Sequence, residues 1–344
     1  MSRVHIRIPD VKPSPEGRPP ACPFCQNPVL RRWGRARKPL KDPRLREVEV
    51  HRYRCPQCRR TFRHYPEGVS PWTQSRRTVA LCALLWALGL SLRSIASLLP
   101  HLGLQVSRMS VLRDVRALTE EVKRHLPHKA RVLGVDGFGV RVRGKPRGVL
   151  VCVEMEQGLP LLALQVDEKN PRAVASALRP LVRRLGVEVL VTDDLGAYRR
   201  VAEDLGLAHQ VCAFHLQRWA GRALSRLRAS VPEGVREVVE EARKVLRARA
   251  PDGGTRLFAL YRRVVQGVGK RKEGPVWGLA EVLLRLSNEW GRYSLDRQVS
   301  GVPSTNNRVE QAIGRFRWRA LGMRGVKTWA GVEQAMVLSH VGVA

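Results

Sequence analysis

The spacing of apolar residues changes twice along the chain, from helical to strand-like and back to helical. Between residues 76 and 125 apolar side chains recur at helical spacing, and a short helix is predicted over 91–99. Residues 100–106 break this helix, and Ser107 is a suitable N-cap for the next one. This layout predicts a helix-turn-helix, with an ordinary helical pair and a solvated basic face as the alternative. The second helix would present four side chains to a DNA groove: Arg108, Ser110, Arg113 and Arg116.

Beyond residue 129 the pattern becomes that of a mixed α/β domain. The predicted elements are a strand over 132–137, a hairpin arm formed by 140–143 and 148–154, a third strand over 159–166, a helix over 171–185, a fourth strand over 187–193, a helix over 197–205 and a strand over 209–212. Three strands, a helix, a strand, a helix and a strand is the order of a ribonuclease-H-like domain. Residues 216–300 have a helical, polar pattern, and a last helix is predicted to start near Thr305.

Two of the predicted strands end in a carboxylate, Asp136 in the first and Asp193 in the fourth. A carboxylate among apolar neighbours must be paired or bound to metal, because burying a lone charge is costly. The first and fourth strands are neighbours in such a sheet, so the two acids should meet, and Glu310 on the last helix can complete the set. Three carboxylates can hold two Mg²⁺ or Mn²⁺ ions per active site, which promote phosphodiester displacement. Asp194 is the alternative ligand to Asp193.

The net charge indicates a polyanionic partner. Lys and Arg number 62 against 30 Asp and Glu, which gives a formal charge of +32 and favours nucleic acid over the alternatives of a ribosomal or membrane-surface protein. Three arginines near the C-terminus are predicted DNA contacts: Arg315, Arg317 and Arg319. The chain lacks an apolar run long enough to cross a bilayer and a secretory signal. We therefore expect a cytoplasmic, nucleoid-associated protein of a bacterium or archaeon, without a membrane partner.

Four of the seven cysteines form two Cys-x-x-Cys pairs, Cys22 with Cys25 and Cys55 with Cys58. Two such knuckles can offer four thiolates to one structural zinc ion, which is the pattern of a zinc ribbon. A redox dithiol is the alternative, although it would need only one of the two pairs.

These observations predict an α/β fold with six segments. They are a flexible leader (1–20), a zinc ribbon (21–75), a helix-turn-helix domain (76–128), the first part of a ribonuclease-H-like catalytic domain (129–215), an α-helical insertion (216–300) and the last part of the catalytic domain with the glutamate helix (301–344).

Three motifs resemble those of the Mutator-like bacterial insertion-sequence transposases of the acid-acid-glutamate class. They are Thr192-Asp193, the run 209–215 (HQVCAFH), and the run 304–307 (STNN) followed by Glu310. The resemblance covers residues 130–344, and that group also inserts a helical domain before its glutamate. A leading zinc ribbon with a helix-turn-helix is more typical of other insertion-sequence families.

The resemblance implies roles for further residues. It places four of them near the active site: Cys212, His215, Asn306 and Asn307. Related transposases can use an aromatic residue of the insertion to stack on an unpaired base, and Trp290 is the candidate here, with a core position as the alternative.

The leading hypothesis is therefore a DNA transposase that binds the terminal inverted repeats of an insertion sequence and carries out metal-dependent cleavage and strand transfer. Its partner is double-stranded DNA, both transposon ends and target, and holding two ends together implies at least a homodimer on DNA. The alternatives are a metal-dependent nuclease or resolvase on the same fold, and a domesticated zinc-ribbon regulator that only binds DNA.

Overall fold

The structure is a computed structural model that describes residues 4–267, 273–322 and 325–343. Within these residues the strands are β1 (Val4–Ile6), β2 (Arg31–Pro39), β3 (Glu47–Arg54), β4 (Thr61–His64), β5 (Val132–Val142), β6 (Lys145–Glu154), β7 (Leu159–Leu164), β8 (Val189–Thr192), β9 (Ala208–Val211) and β10 (Val341–Val343).

The helices of the same residues are α1 (Arg76–Ala87), α2 (Leu92–Leu98), α3 (Arg108–Arg124), α4 (Pro171–Leu185), α5 (Gly196–Leu205), α6 (Ala213–Ser230), α7 (Glu233–Ala248), α8 (Gly253–Gln266), α9 (Gly274–Asn288), α10 (Trp290–Tyr293), α11 (Leu295–Gln298), α12 (Asn307–Gly322) and α13 (Trp329–Leu338). The chain folds into two compact units, one formed by residues 126–314 and the other by residues 4–125 with 315–343. The predicted boundaries differ from this division, because they assigned residues 315–344 to the catalytic domain.

A five-stranded mixed sheet organises the first unit, with strand order β7-β6-β5-β8-β9. The first three strands in the sequence pair antiparallel as a meander, whereas β8 lies parallel to β5 and β9 lies parallel to β8. The predicted adjacency of the first and fourth strands is confirmed. This order and these directions are consistent with a ribonuclease-H-like core.

Apolar runs explain why these segments form central strands. All four residues of β8 are buried, and so are the first four residues of β5, as expected for strands that are covered on both faces. Between β7 and β8 the chain forms α4, where Asn170 caps the first turn, Pro171 occupies the first helical position and Gly186 ends the helix in the left-handed region. Apolar side chains of α4 and α5 pack on the sheet.

The long segment between β9 and α12 forms the helices α6 to α11, which build a core of their own. Each of the longer helices places a stripe of Leu, Val and Ala inward and its charged residues outward. The helical pattern predicted for residues 216–300 is therefore present in the described part of this segment.

The second unit combines a small antiparallel sheet, β2-β3-β4, with α1, α2, α3 and α13. The predicted flexible leader, residues 1–20, makes backbone contacts in its described part. β1 pairs in parallel with β10, Lys12 donates its backbone N–H to Glu67 O, and Pro13 O accepts from Glu49 N. Backbone pairing and the buried side chain of Val11 outweigh the polar, proline-rich composition that suggested a loose segment.

Among the described residues, each helix is too short or too polar to cross a lipid bilayer.

Candidate active site and metal centre

Asp136 and Asp193 lie at the same level on neighbouring parallel strands. The pairing of β5 with β8 joins Gly134 to Val191. Asp136 follows Gly134 by two residues on β5, and Asp193 follows Val191 by two residues, directly after the end of β8. Adjacent strands are about 4.8 Å apart and residues two apart share a face, so both carboxylates project from one edge of the sheet. Both side chains are half-buried.

The start of α12 places Glu310 against this edge. Asn306 donates its side-chain N–H to Val135 O (3.1 Å) and its backbone N–H to Cys212 Sγ (3.4 Å), so the residue before α12 is fixed to both β5 and the end of β9. The helix then packs unusually close to β5 at Gly134, where a Cβ atom would lie 2.6 Å from Val309 Cγ2. A larger residue at this position would push Glu310 away from the two aspartates.

The charges of these acids interact through the protein. The pKa of Asp136 is raised to about 7, mainly by burial and then by the negative charges of Asp193, Glu168 and Glu310. A hydrogen bond from the Gly137 N–H acts in the opposite direction. Uncompensated negative charge of this kind is expected where a cation binds. The oxygen donors are also the type that Mg²⁺ and Mn²⁺ prefer.

Glu168 is a fourth carboxylate at this edge that the sequence analysis missed. It follows β7 and precedes α4, and a Cβ atom at Gly137 would overlap its carboxylate. Tyr198 donates its hydroxyl to Glu168 Oε2 at 3.3 Å, and burial together with Asp193 raises the pKa of Glu168. The local sequence Asp167-Glu168-Lys169 is typical of a solvated turn, so only the position after the third strand could have indicated this residue.

The adjacent residues Asp193 and Asp194 have different surroundings in the structure. Asp194 turns toward the helical segment, where its Oδ2 pairs with Arg285 at 2.5 Å and its Oδ1 accepts a hydrogen bond from Tyr293 at 3.3 Å. The negative charge of Asp193 contributes to the raised pKa of Asp136, and Asp193 Oδ1 accepts a hydrogen bond from Leu195 N at 3.1 Å. Asp194 therefore already has a cationic partner, the guanidinium group of Arg285.

The remaining motif residues lie around Glu310. His215 Nε2 lies 3.7 Å from Glu310 Oε1, while the buried His215 Nδ1 has no hydrogen-bond partner among the described residues. Cys212 is buried at the N-terminus of α6 and accepts the hydrogen bond from Asn306. Asn307 is exposed at the first position of α12. The structure thus brings His215 to the third acid and gives Cys212 and Asn306 a positional role.

The four predicted zinc ligands meet in the second unit. Cys22 Sγ lies 3.7 Å from Cys58 Sγ, Cys25 Sγ lies 3.5 Å from Cys55 Sγ, and all four sulfurs lie within 4.8 Å of one another. Tetrahedral zinc with bonds of about 2.3 Å requires sulfurs about 3.8 Å apart, so this group can hold zinc. Among the described residues it is the one cluster of possible ligands this compact.

The predicted DNA-reading face of α3 is on the solvent side of its helix. Ser107 caps α3 by accepting from Ser110 N at 3.2 Å, and Arg113 Nη2 donates to Ser110 Oγ at 3.2 Å. Arg108, Arg113 and Arg116 are exposed, whereas the opposite face of α3 packs with Val111, Val115 and Val122 inward. Nucleic acid could therefore reach the predicted residues.

Two predicted DNA contacts need correction because their side chains are buried. Trp290 is 3% exposed, donates its indole N–H to Ala250 O at 2.8 Å and has no ring face open to a base. Arg319 is 1% exposed, and its guanidinium lies 4.0 Å from the centre of the Trp86 ring. The three arginines of α12 lie on different sides of the helix: Arg315 is half-buried, Arg317 is exposed, and Arg319 points into the core.

No protein-family model matches the sequence, and no curated protein matches it either. Among solved structures, the catalytic core domain of BIV integrase is similar to 55% of this chain and 99% of its own chain, with 14% identity and a TM-score of 0.20. A superposition this loose assigns no residue.

Proposed function

We propose that the chain is a DNA transposase of the acid-acid-glutamate type, with Asp136, Asp193 and Glu310 as its catalytic acids. One observation carries the proposal: the two aspartates occupy equal levels on neighbouring parallel strands, and α12 adds the charge of Glu310 to the same edge. The helical segment α6 to α11 between the second and third acids and the resemblance in sequence support the same class.

In this proposal the edge binds a pair of divalent cations rather than a single one. Ligands around two cations about 4 Å apart, each about 2.1 Å from its oxygens, can be separated by about 8 Å. The carboxylates therefore do not need to lie as close together as the four sulfurs. Glu310 is 42% exposed, and rotation of its side chain can complete the set of three ligands. When bound, two such cations would supply the charge stabilisation that phosphodiester cleavage and strand transfer need.

The chain's own residues have separable tasks in this proposal. The three acids hold the cations, Asn306 fixes the start of α12 on β5 through its 3.1 Å hydrogen bond, and His215 limits the orientations of Glu310. Glu168 is a further oxygen donor beside Asp136. In the second unit, the cysteine cluster would bind one structural zinc, and the exposed face of α3 would select the terminal repeats of the element as part of a helix-turn-helix. Two ends must be held together, so we expect a homodimer or larger assembly on DNA.

The acids are tested by amide variants, which keep the side-chain volume but each remove one anionic ligand. Asp136→Asn, Asp193→Asn and Glu310→Gln should each lower cleavage of a labelled end duplex, and strand transfer into a plasmid, by at least about a hundredfold. Double variants should be scarcely worse than single ones, because the acids act as a unit. Mg²⁺ and Mn²⁺ should support both reactions, and Ca²⁺ should permit binding with little turnover.

Asp194→Asn is the matched control, since it makes the same change at the neighbouring residue and should be much milder. Thermal unfolding and DNA binding, measured for every variant, exclude loss of fold as the cause. Full activity in all three primary variants would overturn the proposal. Cleavage without strand transfer in the wild-type protein would favour a nuclease or resolvase, and binding without cleavage would favour a regulator.

A further inference from the structure

One exposed aromatic residue and three arginines form a row along α6. Phe214, Arg218, Arg222 and Arg226 follow one another at four-residue intervals and are all exposed. A rise of 1.5 Å per residue separates successive members by about 6 Å on nearly the same side of the helix. We call these four residues the α6 row.

The α6 row begins beside the catalytic acids. The ring of Phe214, 52% exposed, lies 5.7 Å from the ring of His215, which in turn approaches Glu310. A groove of about 580 Å³ is lined by Asp193 and His215 and also by the three arginines of the row. Residue 226 is 11 positions beyond 215, so the groove extends about 16 Å along the helix from the acids.

Ion pairing distinguishes these arginines from others of the same helical segment. Arg228 and Arg243 both pair with Glu240, and Arg263 pairs with Glu241. In the described parts of the chain, no carboxylate lies within ion-pair distance of the three arginines of the α6 row. Like charges four residues apart destabilise a helix, and a polyanion in the groove would offset this repulsion.

We propose that the α6 row binds the backbone of one DNA strand and leads it to the catalytic acids, with an unpaired base stacked on Phe214. This inference rests on the proposed function and adds the path of the strand. Guanidinium groups bind phosphate oxygens through two parallel hydrogen bonds, and arginines about 6 Å apart along the helix can contact successive phosphates of one strand. An exposed aromatic ring accepts any base by stacking, and Phe214 offers such a ring at the end of the row nearest His215.

The phosphate contacts are tested by removing three charges at two places in the full-length protein. One triple variant changes Arg218, Arg222 and Arg226 to Gln, and the matched control changes the exposed Arg236, Arg256 and Arg262 of α7 and α8 to Gln. The probe is a duplex of mixed sequence with a single-stranded overhang, in Ca²⁺. The first variant should bind at least about tenfold more weakly, and the slope of log affinity against log salt should become shallower by about 2. Equal effects of both triple variants would overturn the path.

The stacked base is tested with a fluorescent purine analogue in the overhang. Binding of the wild-type protein should change the fluorescence of the analogue, and Phe214→Tyr should produce the same change. Phe214→Ala and Phe214→Leu should produce no change and should bind the overhang roughly tenfold more weakly. Thermal unfolding of each variant checks that the fold is retained. An unchanged signal in Phe214→Ala, or tighter binding of an RNA overhang of the same sequence, would overturn the assignment of a DNA strand to this row.

Binding and cleavage measurements together distinguish failure of this inference from failure of the proposed function. If wild type binds in this way but never cleaves, the path stands and the transposase proposal fails. If wild type cleaves while the two triple variants behave alike, the path fails and the transposase proposal stands.

Discussion

Asp136 is surrounded by the charges of three other carboxylates at the edge of the sheet. Asp193 was expected from the chain, because a strand that ends in an acid is easily recognised, and Glu310 was expected from its place on the last predicted helix. Glu168 was not, since its position depends on how the loop after β7 returns over Gly137. Without a cation this edge is a source of instability, and its cost depends on pH.

The metal-free protein should lose stability as pH rises, in part through Asp136. Burial and neighbouring charges raise the pKa of Asp136 from 3.8 to about 7. Below about pH 4 Asp136 is protonated in both the folded and the unfolded state, and it does not lower the free energy of unfolding. Between about pH 4 and 7 only the unfolded chain releases this proton, so the free energy of unfolding falls as the pH rises. Asp136→Asn should therefore unfold at the same temperature as wild type near about pH 4 and at a higher one near about pH 8, with a gain of up to about 4 kcal/mol.

Thermal unfolding in a chelator, at several pH values, measures this difference. Added Mn²⁺ should stabilise wild type at about pH 8 and leave Asp136→Asn nearly unchanged, because the cation replaces the missing counter-charge. A constant difference between the two proteins across this pH range would contradict the raised pKa.

At the scale of elements, β2, β3 and β4 form a small sheet that has few apolar side chains for a core of its own. Val48, Val50 and Tyr53 are its fully buried apolar residues on β3, and β2 is largely exposed. A sheet of this size needs a further source of stability, and the four cysteines beside it can supply one through zinc.

Cys55→Ser should therefore remove zinc and unfold this sheet without affecting the first unit. The purified wild type should carry about one zinc per chain, and the variant should carry none and lose specific DNA binding. Metal analysis together with calorimetric unfolding gives both quantities. Cys82→Ser, at a cysteine that is buried on α1 away from the cluster, is the control and should keep its zinc. Zinc retained in Cys55→Ser would contradict the assignment.

The elements were predictable where local pattern decides them, and less so where packing does. Buried runs predicted β8 and β9 to within two residues at each end, whereas β5 continues to Val142, beyond the predicted end at residue 137. Ser107 marked a real helix start through its capping oxygen. The role of Trp290 depended on which face of a helical bundle turns inward, and this is set by contacts distant in sequence. The pairing of β1 with β10 joins segments more than 300 residues apart, and no local pattern predicts such a contact.

At the scale of the whole molecule, an excess of 32 positive charges gives attraction to any DNA, so charge alone cannot provide selection of a sequence. Selection requires contacts to base edges, and the exposed arginines of α3 are the predicted source.

Arg113→Ala should weaken binding to the element's own ends by about tenfold and binding to unrelated duplex by much less. Arg183→Ala removes the same charge from an exposed position on α4 and should affect both duplexes equally and slightly. Competition binding at fixed salt measures, for each variant, the ratio of the affinity for the element's ends to the affinity for unrelated duplex. A ratio unchanged by Arg113→Ala would indicate that α3 does not read the bases.

The position of Glu310 also has a consequence for the order in which the protein is made. The hydrogen bond from Asn306 to Val135 spans 171 residues, and the 117 residues from Asp193 to Glu310 take roughly 6 to 23 s to translate at about 5–20 residues per second. If the proposed function holds, the nascent chain of this interval would already contain its four cysteines, α3 and the first two acids. It would be unable to cut DNA until the ribosome has delivered α12.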